Sequence, residues 1–377
     1  MGDCISALYA EGIHCEGVFE EPFFLRESRR RIYAAAYRSD KTLATFFGRP
    51  PMMSWRYSDR KIPLDLDDEV VTTSDTTLLN NELAKLDSAG WNTEGKIFAS
   101  SWIRARSQIS VIKERLLEQS LAGRTDSDVT EKLQSISADC RAMWESFPAH
   151  LRYDLYDEDE AWSNLDPSIT LRMISFYLEF LHMEFQVHRI MRRQTQLAVP
   201  ALLELSMRLL STVLVFNKQR SQAYSIQRHF PTIILFYCLP SAGVLALELR
   251  RSTLQNVPLP GALSRADVIR NLSVLISCLE WVILPGDGNH NLCSELNKML
   301  ALVLDEVLNY QPPAASESQD GGDGGALGTV GGGFFDMPLI EGMEPIPTES
   351  EDFLNWLDNA NWGNTASLAV GSCFDGR

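Results

Sequence analysis

Two stretches in the middle of the chain carry apolar residues at alternating spacings of four and three. Phe98, Trp102, Ala105, Ile109, Ile112 and Leu116 form the first series, within residues 93–121. Val129, Leu133, Ile136, Cys140, Met143 and Phe147 form the second, within residues 126–147. That spacing places each series along one face of an α-helix and is incompatible with a strand, whose faces repeat every two residues. Gly123 lies at the end of the first series, so the two helices are expected to fold back on each other as an antiparallel hairpin. Each seam is short, which favours packing within one molecule over a dimerisation zipper.

The same reading extends over most of the chain and gives an all-α fold. Residues 25–47 are expected to be helical, with Leu25, Ser28, Ile32, Ala36, Ser39, Leu43 and Phe47 on the inner face and Arg29 and Asp40 on its edge. Gly48 is the expected C-cap, and Pro50 and Pro51 stop the helix. Asp166-Pro167 starts a helix reaching about Arg193, and Pro200 starts one reaching about Arg220. Ser264 and Asp267 form a capping box for a helix through Leu284. Residues 291–310 carry Leu292, Leu296, Leu300, Val303 and Val307 on one side of a last helix. Phe230–Leu247 has no charged residue in eighteen positions, but Pro231, Pro240 and Gly243 mark it as a buried, kinked core helix and not a membrane span.

The apolar fraction of 45 % is enough for a sizeable core. The net charge is −16, and residues 312–377 carry −10 of it, from eleven acidic residues against one arginine. Such a chain repels phosphate, so nonspecific nucleic-acid binding is not expected. The seven cysteines include no C-x-x-C pair and are expected to be mostly small buried thiols in a reducing compartment. Met1–Ala10 has no basic cluster and does not read as a signal peptide.

Three regions follow: a helical domain over residues 1–311, a flexible linker over 312–333, and an acidic, aromatic tail over 334–377. Eight of the thirteen residues from Gly321 to Gly333 are glycine, a composition that cannot repay its ordering entropy. In the tail, expected to be disordered, Phe353, Leu354, Trp356, Leu357 and Trp362 are interspersed with carboxylates. Segments of this kind stay soluble through charge and offer aromatic anchors to a partner's groove.

The run from Arg26 to Pro51, RESRRRIYAAAYRSDKTLATFFGRPP, resembles the signature of the fungal-specific transcription factor domain. That all-helical regulatory region lies behind the zinc binuclear cluster in many fungal regulators. Arg29, Arg30, Arg31, Ala34–Ala36, Tyr37, Asp40, Lys41, Gly48, Arg49, Pro50 and Pro51 carry the likeness, with Arg56-Tyr57 and Pro63–Leu66 downstream. The charged residues of this run are expected to be chiefly structural, with Glu27 and Arg31 as an i,i+4 pair; the alternative is a regulatory or partner surface. The resemblance implies a nuclear regulator of metabolic or secondary-metabolite genes whose tail contacts coactivators. The family's six-cysteine zinc cluster has no counterpart here, because Cys4 and Cys15 have the wrong spacing and lack companions. No cofactor is therefore expected in this chain, and DNA reading would come from an N-terminal cluster outside it or from a partner. The family's region commonly accompanies dimers, which leaves a homodimer open.

Other chemistry is sparse. Arg29–Arg31 and His188–Arg193 are short basic runs, read as solvated helix faces in preference to import signals. Glu184 and His188 share a helix face and are expected to bond to each other; His290 and Cys293 lack further ligands. Asp65, Asp67, Asp68 and Glu69, or Asp157–Glu160, are the only acidic clusters that suggest a magnesium-dependent isoprenoid-type enzyme. Neither has the aspartate pair and following acid in a helix that such enzymes use. A third reading is a regulator without DNA binding that titrates partner factors. No nucleophile elbow or phosphate loop occurs in a strand-to-helix setting.

Overall fold

The computed structural model describes residues 1–17, 21–121, 128–155, 165–192, 198–218, 233–282, 290–311 and Phe353. Among them are eleven α-helices and no strand; one isolated antiparallel bridge joins Leu86 and Asn92. The helices are α1 (Gly2–Ala10), α2 (Phe23–Phe47), α3 (Asp68–Thr72), α4 (Thr76–Leu83), α5 (Ala99–Leu121), α6 (Val129–Ser146), α7 (Pro167–Arg192), α8 (Val199–Lys218), α9 (Leu239–Leu254), α10 (Arg265–Val282) and α11 (His290–Asn309). The expected linker, the tail other than Phe353, and Gly123 lie outside the described residues.

The two spaced series become α5 and α6. They pack together, and every seam residue is buried except Phe98 and Met143, which are half-buried. Below them Trp144 stacks on Phe180 of α7, with ring centres 4.7 Å apart. Asp166 accepts from the Ser168 N–H at 2.8 Å, so Pro167 opens α7 with no unsatisfied amide of its own. From there the helices stack in sequence: α7 on α8, α8 on α9 and α10, and α11 against α9 and α10. Leu296, Leu300, Val303 and Val307 of α11 face inward as their spacing requires. Asp75 caps α4 through the Thr77 and Leu78 amides, and Asp67 caps α3. Ser264 accepts from the Asp267 N–H at 3.4 Å, whereas the Asp267 carboxylate pairs with Arg270; the capping box is therefore only half made.

The described part of the uncharged segment, residues 233–247, is mostly buried. Ile234–Cys238 form a single π-helical turn that runs directly into α9, just before Pro240. Proline lacks the amide needed to continue an α-helical ladder, and the widened turn absorbs that gap. Ser241 Oγ donates to the carbonyls of Tyr237 and Cys238 at 2.9 and 2.8 Å, so they are not stranded in the core. Among the described residues, the helix window long and apolar enough to cross a membrane is elsewhere, at Val199–Phe216, and 67 % of it is buried inside the molecule.

The expected inner face of α2 is wrong. Ile32 is 52 % exposed, and of the seven residues assigned to that face only Ser39 is buried. The buried line is instead Glu27, Arg30, Ala34, Tyr37, Lys41 and Ala44. It alternates by three and four as strictly as the apolar seams, but half of it is charged. It meets α5 along a polar face formed by Ser100, Arg104, Ser107, Ser110 and Glu114. Helix α5 thus has an apolar face toward α6 and a hydrogen-bonded face toward α2. A small separate apolar cluster, Ile5, Leu8, Tyr33, Tyr37 and Met53, closes the α1–α2 side.

Candidate functional site

The residues of the 26–51 run are brought together by α2, and most are turned inward. Lys41 is fully buried. Its Nζ donates to Asp40 at 2.8 Å and to the Met53 carbonyl, lies 3.4 Å from Glu114, and sits 4.5 Å from the centre of the Tyr37 ring. Asp40 also accepts from the Met52 and Met53 amides, both at 2.9 Å. Glu114 accepts from Tyr37 Oη at 2.5 Å, Ser54 Oγ at 2.6 Å and the Trp55 N–H at 3.3 Å. Burial, and then the Glu114 carboxylate, push the Tyr37 phenol far above its ordinary range, so it remains a donor. Each buried charge is both paired and hydrogen-bonded, the condition under which such groups are tolerated in a core. The products are mechanical. The chain leaving α2 at Gly48, whose φ of 59° makes it the expected left-handed C-cap, is folded back and fastened to α2 and α5.

The arginines of the run fasten other segments. Arg30 is buried between Glu16 and Glu27, and Glu16 also takes Arg60 at 3.2 Å. Burial opposes ionisation of Glu16, but its bonds to Arg30, the Lys61 amide and Arg60 prevail and hold its carboxyl below the usual range. Burial raises Glu27 despite the two arginines. Arg31 pairs with Asp68, donates to the Leu66 carbonyl at 2.9 Å, and lies 3.5 Å from Glu27 in the expected i,i+4 pair. Arg29 pairs with Glu21 at 3.2 Å. A regulatory surface on this helix therefore cannot include Arg30, Asp40 or Lys41. What remains outside is Gly48, Arg49 and Pro50, with Pro51 half-buried. Arg29–Arg31 are not a solvated run either, and Arg189 of the second basic run is buried.

The acidic cluster at 65–69 is likewise engaged. Asp65, fully buried, accepts from Ser101 Oγ and Asn92 Nδ2, both at 2.5 Å, and from the Asn92 N–H at 3.1 Å. Asp67 caps α3, and Asp68 holds Arg31. Beside them Arg104 donates to the Pro63 carbonyl and lies 4.8 Å over the Trp91 ring. The second cluster, 157–160, lies outside the described residues.

Polar groups that spacing alone did not single out line α7. Burial disfavours the Glu179 charge, but Arg38, Arg106 and Lys113 outweigh it and hold the carboxyl at about 2. Burial, then Lys113 and Arg189, push His182 down to about 3, so it is neutral at physiological pH. Glu184 does not bond His188. It accepts from Ser137 at 2.9 Å and from Arg141, partners on α6 that a same-helix reading could not foresee. Cys140, Cys238, Cys278 and Cys293 are buried; Cys4 is exposed. Among the described residues no three His, Cys, Asp or Glu side chains are grouped to hold a metal ion.

Of the aromatic tail residues, Phe353 alone is described. It is fully buried and belongs to the main apolar core, against Gly243 of α9. Leu354, Trp356, Leu357 and Trp362 lie outside the described residues. Comparison with known proteins found no matching family, no matching curated protein and no matching solved structure.

Proposed function

We propose that this chain is a transcription regulator of the fungal zinc-cluster type, a nuclear protein acting on metabolic or secondary-metabolite genes. The observation that carries the reading is the Arg26–Pro51 run. Its charged residues act as one clamp: Arg30, Asp40 and Lys41 tie α2 to the segments before and after it. That use of the run suits an architectural signature within a helical regulatory domain. The acidic tail, with aromatic residues spaced among carboxylates, supplies the second element, a segment able to recruit coactivators. DNA reading comes from a cluster outside this chain or from a partner, a homodimer is left open, and no membrane is involved.

The rival enzyme reading is weakened by what Asp65, Asp67 and Asp68 already do. A carboxylate buried under a serine, an asparagine and an amide is not available to a hydrated magnesium ion. The test has two arms. The full chain tethered to an unrelated DNA-binding domain raises transcription from a reporter, and Trp356→Ala lowers it. A tethered chain that is silent, or indifferent to Trp356→Ala, removes the activation reading. Thermal stabilisation by magnesium with pyrophosphate at millimolar concentration or below moves the assignment to the enzyme; activity of the untethered chain only in repressing a partner factor moves it to a titrating regulator.

A further inference from the structure

Gly243 lies inside α9, with no positive φ to require a glycine. In that setting glycine weakens a helix relative to alanine, so its presence there calls for a steric reason. The structure contains one. A Cβ built on Gly243 would fall inside the Phe353 ring, with Cδ1 at 2.9 Å and Cε1 and Cζ closer still. The ring itself has no exposed surface. Ala242 and Ala246 keep the adjoining surface of α9 low, and both are buried. Phe353 stands 44 residues beyond Asn309, where α11 ends, and it is preceded by Glu351 and Asp352. A single ring from an acidic segment is thus seated in a notch that one missing side chain creates.

We infer that the Gly243 notch of α9 is a binding site for an aromatic side chain, and that its occupant is Phe353 of the same chain. The docking stands whether or not the protein regulates transcription. Its consequence for partners rests on that reading: a Phe353 seated on α9 is not available to a coactivator groove, so the two uses of this ring exclude each other. The intervening sequence, more than forty residues and rich in glycine, is long enough in principle to span the distance back to α9.

The test uses the full chain and turns on a sign. With the notch filled, Gly243→Ala collides with the ring and lowers the melting temperature. In a Phe353→Ala background the notch is empty, and Gly243→Ala raises the melting temperature through helix propensity alone. Phe353→Ala also speeds proteolytic cleavage between residues 312 and 352 by about tenfold, because an undocked segment spends more time open. The same shift for Gly243→Ala in both backgrounds, or an unchanged cleavage rate, overturns the proposal. Sedimentation completes it. A monomer with concentration-independent protection supports docking within one chain, whereas protection that appears only with dimer formation overturns that assignment in favour of exchange between copies. Neither readout requires transcription, so a silent reporter and an empty notch are separate results.

Discussion

Replacing Lys41 with methionine tests whether the charged seam of α2 is structural. The substitution keeps the length and most of the apolar stem and removes only the ammonium. Lys41 has no exposed surface, and its Nζ is shared by Asp40, Glu114 and the Met53 carbonyl. Without it, two buried carboxylates lie close together with no cation between them. Removing one member of a buried pair costs about 3–5 kcal/mol, chiefly through the charge left behind. Some of that is offset here, because Asp40 keeps two amide donors and Glu114 keeps the Tyr37 hydroxyl, Ser54 and Trp55. A loss of about 3 kcal/mol is expected, which corresponds to a fall in Tm of roughly 4–6 °C for a domain of this size. Urea unfolding monitored by circular dichroism gives the number. Asp40→Asn combined with Lys41→Met should cost less than the sum of the single changes, since neutralising Asp40 removes part of the repulsion. A Lys41→Met protein within about 1 kcal/mol of wild type, or strictly additive single changes, would refute the reasoning.

Three other outcomes are expected. Ile32→Lys changes stability by no more than about 0.5 kcal/mol because the site is 52 % exposed, whereas Ala34→Glu, two positions on and buried, unfolds the protein or costs about 3 kcal/mol or more; equal effects would disprove the α2 register. Acid weakens the fold on two counts: His182, at about 3 when folded against 6.5, resists a proton that the unfolded chain accepts, and Glu179, at about 2 against 4.5, loses its stabilising charge as pH falls through that range. The His182 contribution between pH 6.5 and 5 is at most about 2 kcal/mol, since the ring is only half-buried; His182→Gln should flatten that part of a denaturation-against-pH curve, with a residual slope from His150 and His188, which burial also lowers. Arg104→Met loses the Pro63 bond and the Trp91 contact, and costs about 2 kcal/mol by thermal denaturation; no change would mean that the 63–66 segment is held well enough by the bonds of Leu64, Asp65 and Leu66.

The apolar seams of α5, α6 and α11 could be read from the sequence because there the buried residues are also the greasy ones. Helix α2 defeated the same rule for a physical reason. Its buried line has the right spacing, but Glu27, Arg30 and Lys41 occupy it, and the partners of Arg30 and Lys41, Glu16 and Glu114, are 14 and 73 positions distant in sequence. Helix α1 and the short helices α3 and α4, capped by Asp67 and Asp75, carried too little periodicity to be anticipated. The Asp65 network depends on Asn92 and Ser101 arriving from another part of the chain, so a run of acidic residues looked like a ligand set when it was a set of cross-links. The 26–51 residues were recognised as a unit; which of them face inward needed the fold. Gly243 was noted only as a break in an apolar run, and its meaning came from Phe353.

The separation of the interior into one large apolar mass and a small cluster around Tyr33 and Tyr37 has a kinetic consequence. The outer layer of α1 and α2 is attached to the rest through many directed polar links, which reward exact alignment and give little when partly formed. Such a layer detaches all at once or not at all. Amides of α2 should therefore exchange with solvent deuterium as a single family, faster than those of α7 and α9, while the deeper helices stay closed.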